Sequence, residues 1–331
     1  MYRGYSLEQF CNQVCSNALD PAKGRQMPIH YGSDELNYQT ISSPLATQLP
    51  HAAGAAYANK LEGKDKVSIC FFGDGAASEG DFHAALNFAA TTKSPVIFFC
   101  RNNGYAISTP IEEQMAGDGI VARGPAYGIP ATRVDGNDIW AVYAAVEAAR
   151  KMAVEESTPV LIEAITYRSA PTAPRSQLPG GCSRPRSRLH RSPAARPTVM
   201  QERSGAAAGA DFCCVHMAVR MGHHSTSDDS TRYREQQEMD VWKESDNPIQ
   251  RMRLYLTSLG CYSKEREDEY RKEVRKEVLV ALKKAEKGPM LDVEHMFDDV
   301  YDEIPKHLAE QAEEVQRHVK KYPEFYEGSG H

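Results

Sequence analysis

The sequence predicts an α/β fold: a parallel sheet with flanking helices, followed by a helical C-terminal region. Three observations carry that reading. The runs VSICFF (67–72) and PVIFFC (95–100) are short and nearly all apolar, as strands buried on both faces of a parallel sheet are. Between them DFHAALNFAATT (81–92) is Ala-rich and polar only at intervals, which suits a crossover helix and makes one βαβ unit. Beyond residue 221 the chain is strongly charged with a helical period.

The elements follow in order. ATQLPHAAGAAYANKL (46–61) reads as a helix packed closely through small residues, ahead of the βαβ unit. A weak strand Ala131–Val134, a helix Ile139–Glu156 and a strand Pro159–Tyr167 continue the alternation. In such sheets function is expected outside the carboxyl ends of the strands. Ser263–Lys287 and Pro305–Lys321 are helices whose Glu and Lys at four-residue spacing mark a solvated face. Val274, Val278, Ala281 and Leu282 give the first of them a stripe to bury.

The 331 residues have room for one large domain, or one with an annex, and 41% hydrophobic with 25% charged residues describes a globular chain. A net charge of -6 argues against general nucleic-acid binding and a polybasic membrane contact. No apolar run approaches the roughly 18 residues of a membrane span. The eight cysteines are too sparse for a disulfide scaffold. Cys70 and Cys100 sit in apolar runs as small hydrophobes. Cys11 with Cys15, and Cys213 with Cys214, lack a second pair at zinc spacing, so a reducing compartment is expected. The chain opens on MYRGYSLEQF with no presequence, so either it needs no targeting or the sequence starts inside a longer chain.

Three segments result. Residues 1–168 form the α/β core, 169–221 an insert, and 222–331 a loop and helical region completing the domain. The insert has eight Arg, no Lys, two acidic residues and six Pro, leaving it at +6 and the remainder of the chain at -12. Phe212 is its only aromatic residue, and the composition predicts disorder.

The chemistry-bearing signal is Gly73-Asp74-Gly75, followed 26 residues after Gly75 by Arg101-Asn102-Asn103-Gly104-Tyr105. Each piece ends one of the two apolar strands. Parallel strands put both ends on one edge, so Asp74 and Asn103 can converge on one ion. Magnesium wants oxygen ligands in an octahedron and takes few from protein, with phosphates and water completing the shell. One carboxylate, one amide oxygen and a nearby carbonyl fit. Gly75, Ala76 and Ala77 let backbone approach a diphosphate, the following helix offers N-terminal amides, and the Arg101 guanidinium can fork onto phosphate oxygens. Alone, GDG and NNG are ordinary turns. Together, at two strand ends, they specify more than that. A P-loop nucleotide hydrolase is excluded for want of G-x-x-x-x-G-K-[ST].

GDG followed by NN is the thiamine-diphosphate motif, and its surroundings resemble the alpha subunits of mitochondrial branched-chain 2-oxo acid dehydrogenases. The resemblance rests on KGRQMPIHYG (23–32), TISSPLATQLPHAAGAAYA (40–58), FFGDGAASEGD (71–81) and FFCRNNGYAISTP (98–110). It continues through GDGIVARGPAYGI (117–129), RVDGNDIWAVY (133–143) and GHHSTSDDST (222–231). It implies a thiamine-diphosphate-binding fold and oxidative decarboxylation of branched-chain 2-oxo acids with acyl transfer to lipoamide. Asp74, Asn103 and the Tyr105 carbonyl become magnesium ligands, although relatives often have Glu at the position of Asp74. Ser43, Gly75, Ala76, Arg101 and His224 contact thiamine diphosphate, and His224 also serves proton transfer. Ser42, Pro44, Thr47 and Gln48 match a potassium site. Without the resemblance, SSPLATQ reads as a helix N-cap with Pro in the first turn, and His223-His224 as a solvated pair. Ser225 matches an inhibitory phosphorylation site; the second such serine falls on Glu235 and is absent.

The resemblance further implies an alpha2-beta2 heterotetramer in the mitochondrial matrix, a lipoyl-bearing transacylase core, a regulatory kinase and phosphatase, and no activity for this chain alone. It places a long segment before Met1, including a Tyr-Arg pair that binds the diphosphate, and joins Arg168 to Gly222 almost directly. The 169–221 stretch therefore reads as a translated intron or gene-model error rather than a basic interaction segment. Two alternatives stay open: a defective isoform that only docks to the beta subunit, and a pyruvate or broader 2-oxo acid dehydrogenase subunit.

Overall fold

The computed structural model describes residues 1–166 and 247–326. The insert, His223, His224, Ser225 and Glu235 lie outside them. Four parallel strands form the main sheet: β1 (Ser68–Gly73), β2 (Val96–Asn102), β5 (Ala131–Asp135) and β6 (Val160–Ile165), in the order β1-β2-β6-β5. A two-stranded hairpin, β3 (Tyr105–Ala106) with β4 (Thr109–Pro110), leaves the end of β2. The helices in chain order are α1 (Leu7–Val14), α2 (Gln48–Leu61), α3 (Gly80–Thr92), the short α4 (Ile111–Gln114) and α5 (Arg123–Ala126), and α6 (Ile139–Glu156). Then come α7 (Pro248–Ser258), α8 (Lys264–Ala285) and α9 (Lys306–Lys321).

Alternation along β2 sorts the core into two layers. Val96, Phe98 and Cys100 face α2 and α3, joining Leu49, Ala53, Phe82, Leu86 and Ala89. Ile97 and Phe99 face the opposite way and meet Ala149 and Ala153 of α6, with Val160, Ile162 and Ala164 of β6. Small residues on α2, α3 and α6 let the helices lie close to the sheet. α3 and α6 end on Lys93 (φ 52) and Ser157 (φ 48), which turn the chain left-handed into the next strand. Asp138 caps α6 by accepting from the Trp140 and Ala141 amides.

Three expectations need correction. The 67–72 run was expected to be buried on both faces, but β1 is an edge strand. Cys70 and Phe72 are buried under α2 and α3, while Ile69 and Phe71 are only half-buried because α6 crosses β2, β5 and β6 instead. The stripe of α8 is Ala281, Leu282 and Ala285 against Cys11 of α1; Val278 is 39% exposed. Small residues suffice there because the two helices touch at α8's last turns. Finally, 42–47 is no side-chain cap. The α2 N-cap Thr47 has helical dihedrals and makes no capping bond.

The N-terminal segment ties the helical region to the core. Ser6 and Gln9 form a capping box that starts α1. Asn17 Nδ2 donates to the Ala285 carbonyl at 2.9 Å in a buried contact. Arg25 donates to the carbonyls of His295 (2.5 Å) and Asp298 (2.7 Å) and pairs with Asp299 at 2.8 Å.

Candidate metal centre

The parallel register sets Gly73 beside Arg101, so the turns leaving β1 and β2 lie on one sheet edge. Asp74 follows directly and is 1% exposed. Its Oδ1 accepts from the Asn103 backbone amide at 3.3 Å, which brings the acid and the amide residue together. Asn103 Oδ1 accepts from the Tyr105 amide at 3.2 Å, and as a carbonyl oxygen it keeps a second lone pair. Tyr105 is 9% exposed. Gly75 is required where it stands, because a Cβ there would come within 2.8 Å of Ala106 Cβ on the hairpin. Ala76 and Ala77 are buried under the same turn.

The helix expected over 81–92 is observed, one residue longer at its start. A 3-10 turn, Gly75–Ser78, precedes it, and α3 begins at Gly80. The turn is pinned from outside: the Arg123 guanidinium donates to the Ala77 carbonyl and lies 5.4 Å from the centre of the Phe82 ring. Among the described residues no three His, Cys, Asp or Glu side chains cluster in a way that could hold a metal. A divalent ion held by the residues gathered here would take one carboxylate, that of Asp74, with amide, carbonyl, phosphate and water oxygens, the set that suits magnesium.

The 42–48 loop lies against β1, where Gln48 Nε2 donates to the Phe71 carbonyl at 3.2 Å. Thr47 Oγ1 lies 3.2 Å from Ser42 Oγ and 3.3 Å from the Pro44 carbonyl. Gln48 Oε1 is buried without a hydrogen-bond partner. Buried Ala46 takes φ 66, a left-handed conformation that costs energy in a residue with a Cβ. Gathered hydroxyl and carbonyl oxygens, an orphaned amide oxygen and a strained backbone fit a monovalent cation. Ser43 Oγ is 2.5 Å from His30 Nε2. The other ring nitrogen faces the Met27 (3.2 Å) and Pro28 (3.1 Å) carbonyls and must carry its proton, so a neutral His30 accepts from Ser43.

Behind the edge, Glu163 of β6 is fully buried. It accepts from the Ile120 (3.0 Å) and Val121 (2.9 Å) amides, Asn102 Nδ2 (2.7 Å) and Arg133 Nε (3.0 Å). Burial works to raise its pKa, but these donors outweigh it and hold the carboxyl below the usual range. Gly119 (φ 69) passes so close that a Cβ would meet Glu163 Oε1 at 2.7 Å. Asn102 in turn accepts from the Gly104 amide at 3.0 Å, which steadies the turn carrying Asn103.

Of the residues named from sequence, Asp74, Gly75, Ala76, Asn103 and Tyr105 are brought together, and Ser42, Pro44, Thr47 and Gln48 form a second group. Arg101 lies in register with Gly73, at the end of β2. His30, Gln114, Arg123 and Glu163 escaped the sequence reading. His30 and Arg123 lay inside the matching stretches, and Glu163 is the lone charge in an otherwise apolar strand, a usable signal.

The dehydrogenase E1 component family model matches residues 1–173 and 208–294. The chain is 47% identical over 326 residues to the alpha subunit of mitochondrial 2-oxoisovalerate dehydrogenase from Mus musculus, covering 98% of this chain and 62% of that protein. The Homo sapiens protein gives the same identity and coverage. The Caenorhabditis elegans protein is 46% identical over 327 residues, covering 98% and 64%. The chain thus spans about three-fifths of the length of the curated relatives it matches.

Proposed function

This chain belongs to the dehydrogenase E1 component family, and on that premise we propose that it is the alpha subunit of a branched-chain 2-oxo acid dehydrogenase. Its substrates are 2-oxo acids such as 3-methyl-2-oxobutanoate, and its acyl acceptor is the lipoyl group of a transacylase core. The observation that carries the reading is the Asn103 backbone N–H donating to the Asp74 carboxylate at the shared edge of β1 and β2. Bound thiamine diphosphate supplies the carbanion chemistry that removes carbon dioxide from the 2-oxo acid.

The chain's own residues bind and orient. Asp74, Asn103 and the Tyr105 carbonyl hold magnesium, while Ser43, Gly75, Ala76 and Arg101 hold the diphosphate. Ser42, Pro44, Thr47 and Gln48 hold potassium, which fixes the loop carrying Ser43. His224 contacts the cofactor and handles a proton, a task an imidazole suits. Phosphorylation of Ser225 by a kinase, reversed by a phosphatase, places about two negative charges beside the diphosphate and opposes its binding. The partner is a beta subunit in an alpha2-beta2 tetramer, and the compartment is the mitochondrial matrix. The 169–221 segment interrupts this domain; its middle, 174–207, is unmatched by the family model, while its flanks 169–173 and 208–221 are matched.

The test is to purify the chain with a beta subunit and titrate it with magnesium and thiamine diphosphate, then assay decarboxylation of 3-methyl-2-oxobutanoate against pyruvate. Saturable cofactor binding and preference for the branched acid are expected. A well-folded complex that binds no thiamine diphosphate overturns the proposal.

A further inference from the structure

Gln114 belongs to neither group of ligand residues, yet its amide touches the carboxylate on which the metal reading rests. It ends α4, and the β3–β4 hairpin, closed by the Ile111 amide on the Gly104 carbonyl at 2.9 Å, folds the chain back toward β1. Gln114 Nε2 donates to Asp74 Oδ2 at 3.0 Å and to the Thr109 carbonyl at 3.0 Å. Both amide hydrogens are therefore used. Turning the amide over would set its oxygen against a carboxylate and a carbonyl, so the orientation is dictated. That leaves Oε1 buried with no hydrogen-bond partner. An orphaned buried acceptor costs energy until something donates to it.

We propose that Gln114 is a positioning residue for the divalent ion. Its Nε2 occupies Asp74 Oδ2, so that the carboxylate offers the ion a single oxygen, and its Oε1 accepts from a water that the ion carries. The inference rests on the metal reading above and deepens it. Magnesium dehydrates reluctantly and keeps several waters, each needing an acceptor beyond the ion. Partners in this position orient the ligands and set metal affinity.

The test uses the full chain assembled with a beta subunit, and Mn2+ as the probe, read by electron paramagnetic resonance with thiamine diphosphate present. Wild type is expected to order one Mn2+; if it does not, the metal reading itself fails and this inference with it. Given ordered Mn2+ in wild type, Gln114→Leu is expected to weaken its binding about tenfold. Gln114→Glu, which removes the donor and sets a second carboxylate against Asp74 Oδ2, is expected to weaken it at least as far, while Glu113→Ala, at an exposed position of the same turn, is expected to stay within about threefold of wild type. A residue that merely packs the α4 turn changes stability and leaves Mn2+ affinity alone. Affinity unchanged in both Gln114 variants, or lowered equally in all three variants, overturns the proposal.

Discussion

The sheet with the helix faces packed on it and the helical C-terminal region treat their apolar residues in opposite ways. In the core Phe82, Phe98, Leu86 and Ile162 are fully buried and Phe99 is 2% exposed. In the C-terminal region Ile249, Leu254, Val280, Met296, Val300 and Phe325 all stand more than half exposed. The first is a sheet packed between helices on both faces. The second buries Ala281 and Ala285 against α1, adds the Asn17 and Arg25 contacts, and leaves its larger apolar groups outside. The difference teaches where each part's stability comes from: sheet packing in the core, and attachment in the helices. Asp74, Asn103, Tyr105 and Gln114, the residues of the candidate metal centre, stand on the core side of that contrast.

The contrast can be broken at either end. The largest effect is expected at the site: Asp74→Ala removes its one carboxylate and should weaken magnesium-dependent thiamine diphosphate binding by more than about 100-fold, beyond losses seen for outer-shell partners. Calorimetric titration of the complex checks it, and a loss under tenfold would contradict the assignment. Next comes the core. Phe98→Ala should cost about 3–5 kcal/mol in urea unfolding, since the closed layers around it relax little.

Glu163→Ala follows, at about 2–3 kcal/mol. That is below the full cost of breaking a buried pair, because the Arg133 side chain it abandons is 36% exposed and can reach water. The same carboxyl has a pH signature. Its folded pKa is depressed, so its stabilisation is complete above the unfolded value near 4.5 and is lost as pH falls through the lower folded value. The stability gap between wild type and Glu163→Gln should therefore be constant from about pH 8 to 5 and shrink only in stronger acid. A gap already closing at neutral pH would show that Glu163 is not held ionised by its donors. The smallest effect is expected in the helical region, where Val280→Lys should change stability by less than about 0.5 kcal/mol.

Much of this was legible in the sequence, for reasons that differ by element. Helix Ile139–Glu156 matches its expected bounds, because Asp138 supplies a cap and Ser157 a stop. The strands lie within two residues of expectation, since their apolar runs are bounded by turn residues. The sheet order was not legible: β6 inserts between β2 and β5, and pairing across such distances leaves no mark on local period. The edge position of β1 follows from that order. At the site, Asp74 and Asn103 were readable because each simply ends a strand. Gln114 was not, because it returns through a hairpin whose tip, Ile107, takes φ 56, a conformation no pattern would assign to a β-branched residue. The buried thiols were read correctly as packing groups; burial pushes Cys70 up to about 12, leaving it no thiolate at neutral pH.

The most direct measurement is a crystal structure of the chain with a beta subunit, thiamine diphosphate and Mn2+, with the metal located by its anomalous scattering. One peak within about 2.3 Å of both an Asp74 carboxylate oxygen and Asn103 Oδ1 is the predicted result. A thiamine diphosphate bound with no metal between those two groups, or a metal held elsewhere with Asp74 still bonded only to amides, would contradict it.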